Sequence, residues 1–234
     1  MTSSARTGWL LPASLILLSA VPMIAGGVRL GELTVGAEVT PENARFFASP
    51  LPVVLHIVSS VVYCVLGAFQ FAPRFRRRRI GWHRAAGRLL VPLGLVSALS
   101  GLWMTLFYSL PEGDTGLLTA MRLVFGTAMA LSVVLGFAAV RRRDIARHSA
   151  WMIRGYAIGQ GAGTQVLTHL PWTLALGAPD EFSRAMLMGA GWAINIAVAE
   201  WLIRRRPEGP ARGPGAGEGR APGGQAVLPH PDRG

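Results

Sequence analysis

The sequence predicts an all-α integral membrane protein, a bundle of about six transmembrane helices with both the N and C termini in the cytoplasm. Of its 234 residues, 51% are hydrophobic and only 15% are charged, and the mean hydropathy is +0.39. Soluble domains carry about 25% charged residues, so this composition is typical of a membrane protein. The apolar residues are also grouped into runs of about 20, the length that a helix needs to cross a bilayer. We therefore expect a multi-pass protein of the cell (plasma) membrane.

Six apolar segments account for the predicted bundle, which comprises residues 1–203. Lipid offers no hydrogen bonds to the backbone, so each segment is expected to be a helix packed against the others. The first follows Arg6 and resembles a signal peptide, but Pro12 and Pro22 interrupt it and no small-residue cleavage site follows cleanly, so we expect a retained anchor. The predicted spans are Trp9–Leu30, Leu51–Pro73, Leu89–Leu110, Leu117–Val140, Gly155–Leu176 and Ala185–Ile203.

The placement of charge predicts the orientation of the bundle. All basic residues are arginines, and the arginine-rich stretches fall on one side of a six-helix arrangement together with Arg6: Arg74–Arg88, Arg141–Arg154 and Arg204–Arg206. Arginine in short loops marks the cytoplasmic side. The loops that carry acidic residues fall on the opposite side, which we expect to be the outer one: Glu32, Glu38, Glu42, Glu112, Asp114, Asp180 and Glu181.

The same placement bears on binding partners. The formal net charge is +11, but the arginines flank apolar spans, so we expect contacts with the lipid bilayer and its anionic headgroups and no nucleic acid partner. Residues 204–234 are rich in Gly, Pro and Arg and lack the apolar residues of a packed core, which predicts a disordered cytoplasmic tail.

Several kinds of site are disfavoured by the residue content. The single cysteine, Cys64, excludes an intrachain disulfide and a metal site built on several thiolates. The chain has no GxSxG, HExxH or phosphate-binding glycine motif, so hydrolytic activity is disfavoured and no enzyme class is predicted.

Four histidines lie in or beside the predicted spans, and their depths suggest pairs. His83 and His148 lie near the cytoplasmic face, whereas His56 and His169 lie toward the outer face. His148 and His169 are about 31 Å apart along a continuous helix, so they cannot share a ligand. One pair at each face is the arrangement that two stacked bis-histidine haems require, because each iron takes an imidazole from each of two facing helices.

The inner pair offers the more detailed site. Glycines follow His148 and His83 on the same helix faces and would leave a groove for a flat macrocycle: Gly155, Gly159 and Gly87. Neighbouring arginines would pair with the haem propionates: Arg84, Arg88, Arg147 and Arg154. The alternative is that these glycines pack helices together and that the histidines contact lipid headgroups.

Other polar residues in the spans support further interpretations. The fifth span is the most polar and could line a path for a small solute or a proton: Gln160, Thr164, Gln165, Thr168 and His169. Small residues on one face of the third span predict a packing seam: Gly94, Ala98 and Gly101. Arg122 is expected to reach outward to Asp114, and Glu200 to pair with an arginine of the tail.

Five short motifs together resemble a known family. They are LHI at Leu55–Ile57, GAFQF at Gly67–Phe71, WHRAAGR at Trp82–Arg88, HSAWMIRGYA at His148–Ala157 and AE at Ala199–Glu200. Over roughly residues 50–201 the chain resembles the bacterial multi-spanning membrane protein family catalogued as domain of unknown function 2306. The resemblance implies a multi-spanning domain with motif positions His56, Gln70, His83, Arg84, Gly87, Arg88, His148, Trp151, Met152, Arg154 and Tyr156. It implies no activity and no histidine at position 169, which favours the inner pair.

The leading hypothesis is a membrane electron carrier that binds b-type haem. In this hypothesis His83 and His148 bind the haem iron, the arginines at positions 84, 88 and 154 hold the propionates, and a membrane redox partner exchanges electrons. His56 and His169 are the candidate ligands of a second haem. The alternatives are a small-solute or proton transporter and a non-catalytic lipid-binding or assembly factor.

Overall fold

The structure, a computed structural model, describes residues 3–72, 79–110, 114 and 116–205. Within these ranges the chain forms eight helices and no strand, which confirms the all-α class. Of the predicted tail, residues 204 and 205 are described, and Arg204 is the last residue of the final helix. The rest of the tail, residues 73–78 and the turn at 111–113 lie outside the described residues. The helices are α1 Ser3–Val35, α2 Ala44–Ala48, α3 Pro50–Gln70, α4 Ile80–Phe107, α5 Leu117–Arg141, α6 Ile145–Gly159, α7 Gly161–Leu176 and α8 Glu181–Arg204.

Five of the described helices are long and apolar enough to cross a membrane. They are α1, α3, α4, α5 and α8, over Trp9–Val35, Pro50–Gln70, Ile80–Phe107, Leu117–Arg141 and Glu181–Arg204. Large apolar side chains on their outer faces remain exposed, among them Leu17, Leu106 and Val124. A soluble protein would bury such a surface, whereas lipid covers it at no hydrophobic penalty. The predicted multi-pass membrane bundle is therefore confirmed.

The fifth predicted span, Gly155–Leu176, is not a single helix. α6 begins ten residues earlier, where the Asp144 carboxylate accepts a hydrogen bond from the Arg147 N–H at 2.9 Å and caps the first turn. It ends at Gly159, and α7 begins after Gln160. The halves have 15 and 16 residues, each shorter than the about 20 that a crossing needs. Glycines on both sides of Gln160 are poor helix formers and favour the break there.

Helix ends gather at two ends of the bundle. At the first, which we call the α2 end, Tyr108 after α4 donates a hydrogen bond to the Ser49 carbonyl before α3 at 2.6 Å. At the second, the arginine end, where α5 ends at Arg141, the Trp9 ring of α1 contacts the Phe69 ring of α3, with centroids 6.0 Å apart. The α6–α7 segment runs from the arginine end to the α2 end, in the place of the predicted fifth span. The cytoplasmic location of the arginine end stays a prediction.

The helices close a ring. α1 packs on α3, α3 on α4, α4 on α5, α5 on α6 and α8, and α7 on α8 and α1. In the half nearer the arginine end, the rings of Tyr63, Phe71 and Tyr156 fill the space between the helices, with the Phe71 and Tyr156 centroids 4.8 Å apart. In the other half the same ring of helices encloses open space.

Candidate functional site

A cavity of about 440 Å³ lies inside the half of the bundle nearer the α2 end. Its volume falls in the range of about 300–1,000 Å³ that is usual for small-molecule sites. Most of its wall is apolar, with Met23, Ile57, Leu102, Met129 and Trp192 among the lining residues. A few polar side chains also line it: Ser19, His56, Ser60, Ser97, Gln160 and Gln165. An apolar wall with few convergent polar groups is the usual composition of a ligand site.

The cavity extends from the α2 end of the bundle into its interior. Arg45, Tyr108, Asp114 and Arg122 line it at the α2 end, which we call its mouth. Gln160 lines it at the break between α6 and α7. Irregular backbone at membrane depth is tolerated only where protein buries it or where it borders a cavity, and this break meets that condition.

His56 lies in α3 and carries its imidazole on the cavity wall. Its Nδ1 is 2.9 Å from the Ser97 carbonyl oxygen of α4, which can only accept, so Nδ1 carries the proton and donates it. In the neutral ring Nε2 is then an acceptor, and no described residue gives it a hydrogen-bond partner. Beside it the Ser60 and Ser97 hydroxyls form a hydrogen bond of 2.6 Å. The Nε2 atom of His56 can therefore accept a proton or a hydrogen bond from a ligand in the cavity.

A buried hydrogen-bond network holds the helix break. Gln160 is 3% exposed; its Oε1 accepts from the Ser19 hydroxyl of α1 and its Nε2 donates to the Tyr156 hydroxyl, both at 2.7 Å. The Tyr156 hydroxyl in turn donates to the Cys64 carbonyl of α3 at 2.7 Å. The network joins α1, α3 and α6, so the break is fixed by bonds to neighbouring helices and closes the inner end of the cavity.

The mouth contains one buried carboxylate held by two arginines. Asp114 is 4% exposed, and its carboxylate oxygens accept from Arg122 at 2.8 Å and from Arg184 of α8 at 2.7 Å. The predicted ion pair of Arg122 with Asp114 is thereby confirmed. The second arginine explains why a residue between α4 and α5 can be buried: its charge is fully compensated.

Arg45 differs from the other arginines of the mouth. Its guanidinium lies over the Phe46 ring, 4.5 Å from the centroid, and no carboxylate of the described residues is within 4.0 Å of it. Burial and the neighbouring Arg29 lower the pKa of Arg45, because both disfavour the charged form. Glu42 and Asp114 act on its charge only from a longer distance, so the mouth presents a guanidinium that no described carboxylate contacts directly.

The inner histidines lie at the arginine end, on α4 and α6. α4 begins at Ile80, nine residues before the predicted start, so His83 lies in its first turns. His148 Nδ1 is 2.9 Å from the Gly136 carbonyl of α5 and donates to it, which leaves Nε2 as an acceptor. Arg84 and Arg88 are exposed, whereas Arg154 forms a fork with Glu200 at 2.5 and 3.0 Å. Glu200 therefore pairs with Arg154, whereas the tail beyond Arg205, where a partner was predicted, lies outside the described residues.

The glycine face beyond His148 is filled by neighbouring helices. A Cβ on Gly155 would lie 3.4 Å from Ser132 and Val133 of α5, and one on Gly159 would lie 3.1 Å from the Tyr63 ring. These contacts agree with the alternative in which the glycines pack helices together. Haem coordination by His83 and His148 stays a prediction, and a macrocycle would have to lie elsewhere than against this face.

The outer histidines lie on helices that do not form a packed pair within the described bundle. α7, which carries His169, packs on α8 and α1, whereas α3, which carries His56, packs mainly on α4 and α1. His169 Nδ1 is 2.8 Å from the Gln165 carbonyl of its own helix, and the residue does not line the cavity. This geometry gives no support to a haem held between His56 and His169.

The polar face predicted for the fifth span has two separate roles. Gln160 and Gln165 line the cavity, whereas the Thr164 hydroxyl bonds the Asn195 side chain at 2.7 Å and so fastens α7 to α8. Sequence reasoning missed Ser19, Ser97 and Arg45. A serine within an apolar span is a weak signal, and Arg45 stands in a polar loop where charge is ordinary.

Comparison with known proteins gives one match. A family model, described as a predicted membrane protein (DUF2306), matches residues 53–203. The matched segment contains the cavity residues His56, Ser97 and Gln160 and the inner histidines, but not Ser19 or Arg45. No curated protein and no solved structure matches the chain significantly.

Proposed function

The chain belongs to the DUF2306 family of predicted membrane proteins, and we propose that it binds a small solute in the cavity and carries it across the membrane. The observation that carries this proposal is the cavity of about 440 Å³ that extends from the α2 end to the broken helix at Gln160. Binding sites of secondary transporters commonly lie inside the bundle beside discontinuous helices.

The polar lining adds support. Polar side chains inside a membrane bundle are unfavourable unless they are paired, and those that persist commonly mark solute or proton paths. The Nε2 of His56 is an acceptor without a partner among the described side chains, and it borders the cavity. A bound solute that donates a hydrogen bond would satisfy it.

Release at the arginine end requires a rearrangement. Between the cavity and that end stand the Gln160 network and the packed rings of Tyr63 and Tyr156. In the described state these contacts close the cavity toward the arginine end, and a solute would enter from the α2 end. A change of angle between α6 and α7 at Gln160 would break the hydrogen bonds that close the inner end.

Uptake by proteoliposomes tests the proposal with a matched pair of variants on α4. Thr105 lines the cavity and Leu106 is exposed on the lipid side, so an added ring blocks the cavity only at position 105. We expect Thr105→Phe to lower uptake about tenfold or more, because a filled site cannot admit a solute, and Leu106→Phe to leave it unchanged. Uptake no faster than in empty liposomes for neutral, cationic and anionic small solutes would contradict the proposal.

As a second candidate, we propose that the inner histidines bind haem b and pass electrons to a membrane redox partner. The observation that favours it is the hydrogen bond from His148 Nδ1 to the Gly136 carbonyl. Iron-ligating imidazoles commonly donate their second nitrogen in this way. The test is a reduced-minus-oxidised visible spectrum: bands lost in His83→Ala and His148→Ala but kept in His169→Ala support it. Haem-replete membranes without such bands would contradict it.

Lipid contact at the arginine end is a further proposal, which suits either function. Exposed arginines gather there on α4, α5 and α6: Arg84, Arg88, Arg141, Arg142 and Arg147. Each arginine near an anionic surface contributes about 1 kcal/mol of attraction. Replacing Arg84 and Arg88 by Gln should reduce the anionic lipid that co-purifies; an unchanged lipid content would argue against the contact.

A further inference from the structure

We propose that the cavity selects small organic acids, whose carboxylate binds at Arg45 beside Arg122 and whose short apolar body occupies the interior next to His56. This inference rests on the proposed solute-binding function and names the class of solute. It follows from three properties of the cavity: the charge of its mouth, the fixed position of Arg45, and the apolar wall behind them.

The charged side chains of the mouth favour an anion. Arg45, Arg122 and Asp114 line the cavity, which gives two guanidinium groups and one carboxylate. Both oxygens of Asp114 are already engaged, one by Arg122 and one by Arg184. No carboxylate of the described residues lies within 4.0 Å of Arg45, and Glu42 and Asp114 act on its charge only from a longer distance. A ligand carboxylate can therefore contact this guanidinium directly, and the positive charge attracts anions. A carboxylate also matches the planar fork of a guanidinium.

Arg45 is held in place before any ligand binds. The guanidinium groups of Arg29 and Arg45 each lie 4.5 Å from the centroid of the Phe46 ring, an arrangement that positions both by cation–π attraction. Arg29 has a carboxylate partner, Glu32, in the same helix. The loop before α2 is fixed by Asn43, which accepts from the Thr40 N–H at 2.7 Å and donates to the Glu38 carbonyl at 3.0 Å. The ligand therefore meets a prearranged cation.

The interior of the cavity favours a body with little charge. Behind the mouth the wall is formed mainly by Met23, Ile57, Val61, Leu102 and Met129. On one side His56 and the Ser60–Ser97 hydroxyl pair offer hydrogen bonds. An inorganic anion would leave the apolar wall uncovered, and a neutral solute would leave Arg45 without a directly contacting anion. An acid with a short apolar or hydroxylated chain satisfies both.

Cys64 allows a direct test, because it lines the cavity and is the only cysteine of the chain. The protein is purified in a neutral detergent and treated with anionic, neutral and cationic methanethiosulfonates of similar size. Each rate is normalised to the rate with a free small thiol, and Cys64→Ser gives the background. At low ionic strength we expect the anionic reagent to react about tenfold faster than the cationic one.

Two arginine variants then test whether Arg45 causes the faster reaction of the anionic reagent. Arg45→Gln should lower the ratio of anionic to cationic rates severalfold, whereas Arg143→Gln, at an exposed arginine of the other end, should leave it unchanged. Monocarboxylates from acetate to octanoate, together with benzoate, should include members that protect Cys64 in the wild type and lose that protection in Arg45→Gln. The corresponding amides should protect little.

The contrary outcomes separate this inference from the function on which it rests. Equal normalised rates that Arg45→Gln does not alter, or no protection by any acid of the series, overturn the selection of organic acids and leave the solute cavity standing. Protection by added phosphatidylglycerol, but by no soluble acid, assigns the mouth to a lipid headgroup and also overturns it. Failure of every reagent to reach Cys64 in the folded protein, with full labelling after denaturation, refutes the open cavity and the proposed function with it.

Discussion

Two glycines on one face of α4 have different surroundings in the two halves of the bundle: one faces a packed ring and the other faces the cavity. On one face of α4, a Cβ at Gly94 would lie 2.7 Å from the Tyr63 ring, so this glycine makes room for an aromatic side chain. Two turns farther along, Gly101 lines the cavity, where His56 is its nearest neighbour. The seam predicted at these positions is thus a packing surface at Gly94 and a cavity wall at Gly101. A small residue permits close approach, and what lies opposite decides whether the space is filled.

The largest effect is expected at the ion pairs that close the mouth of the cavity half. Asp114→Ala should lower the free energy of unfolding by about 3–5 kcal/mol, because it leaves Arg122 and Arg184 without their shared partner in a partly buried site. Unfolding in mixed micelles, followed by circular dichroism, measures the change. Glu38→Ala, at an exposed carboxylate of the same end, is the control and should change stability by about 0.5 kcal/mol or less. A small effect of Asp114→Ala would show that the mouth is held by other contacts.

Two identical substitutions on α4 compare the halves directly. Gly94→Ala should destabilise by about 1–3 kcal/mol, because its methyl group overlaps the Tyr63 ring in the packed half. Gly101→Ala places its methyl 3.2 Å from the edge of the His56 ring, beside open space, and should cost less than about 1 kcal/mol. The same unfolding assay applies to both variants. Equal losses of stability in the two variants would show that the helix face is as tightly packed at Gly101 as at Gly94.

Removal of the Tyr156 hydroxyl should also lower the stability of the packed half. Tyr156→Phe removes the hydrogen bond to the Cys64 carbonyl and leaves Gln160 Nε2 only its 3.5 Å bond to the Leu15 carbonyl, so we expect a loss of about 1–3 kcal/mol. The variant should also speed the modification of Cys64, because the helix break is no longer tied to α3. A loss of stability without any change in the modification rate would show that the Gln160 network stabilises the bundle but does not close the cavity.

The smallest effect is expected for the equivalent deletion in the cavity half. Ser97→Ala removes the hydroxyl partner of Ser60, but the Ser97 carbonyl that holds His56 remains. The freed Ser60 hydroxyl faces the cavity, where water can replace the lost bond, so we expect a loss of about 0.5–1 kcal/mol. A loss as large as that of Tyr156→Phe would indicate that this part of the cavity is dry and tightly packed.

The sequence predicted the elements that the bilayer imposes. Five spans were recognised from their apolar length, because lipid requires continuous helices, and the Arg122–Asp114 pair was recognised because both residues stand near one helix start. The break at Gln160 was missed. A single irregular residue does not alter the apolar composition of its surroundings, and only the flanking glycines hinted at it.

The cavity could not be predicted, because its members are distant in the chain. His56 and Ser97 lie on different helices, and Arg45 reaches the mouth only through the packing of α2. At the glycine face beyond His148, the sequence suggested a groove that a neighbouring helix partly fills. Its spacing suits a macrocycle, but Tyr63, about ninety residues earlier, occupies part of it. Spacing along one helix describes the face and not the side chain that meets it.

The family segment begins at residue 53, yet Ser19 and Arg45, which precede it, contribute to the cavity wall. The matched segment therefore supplies His56, Gln160 and three of the four side chains that line the mouth, whereas the leading 52 residues add Arg45 at the mouth and Ser19 at the inner end. Arg45, the residue to which we assign the choice of ligand, thus stands outside the matched segment. If that assignment is right, changes confined to the first 52 residues should alter which solutes bind while the matched bundle keeps its sequence.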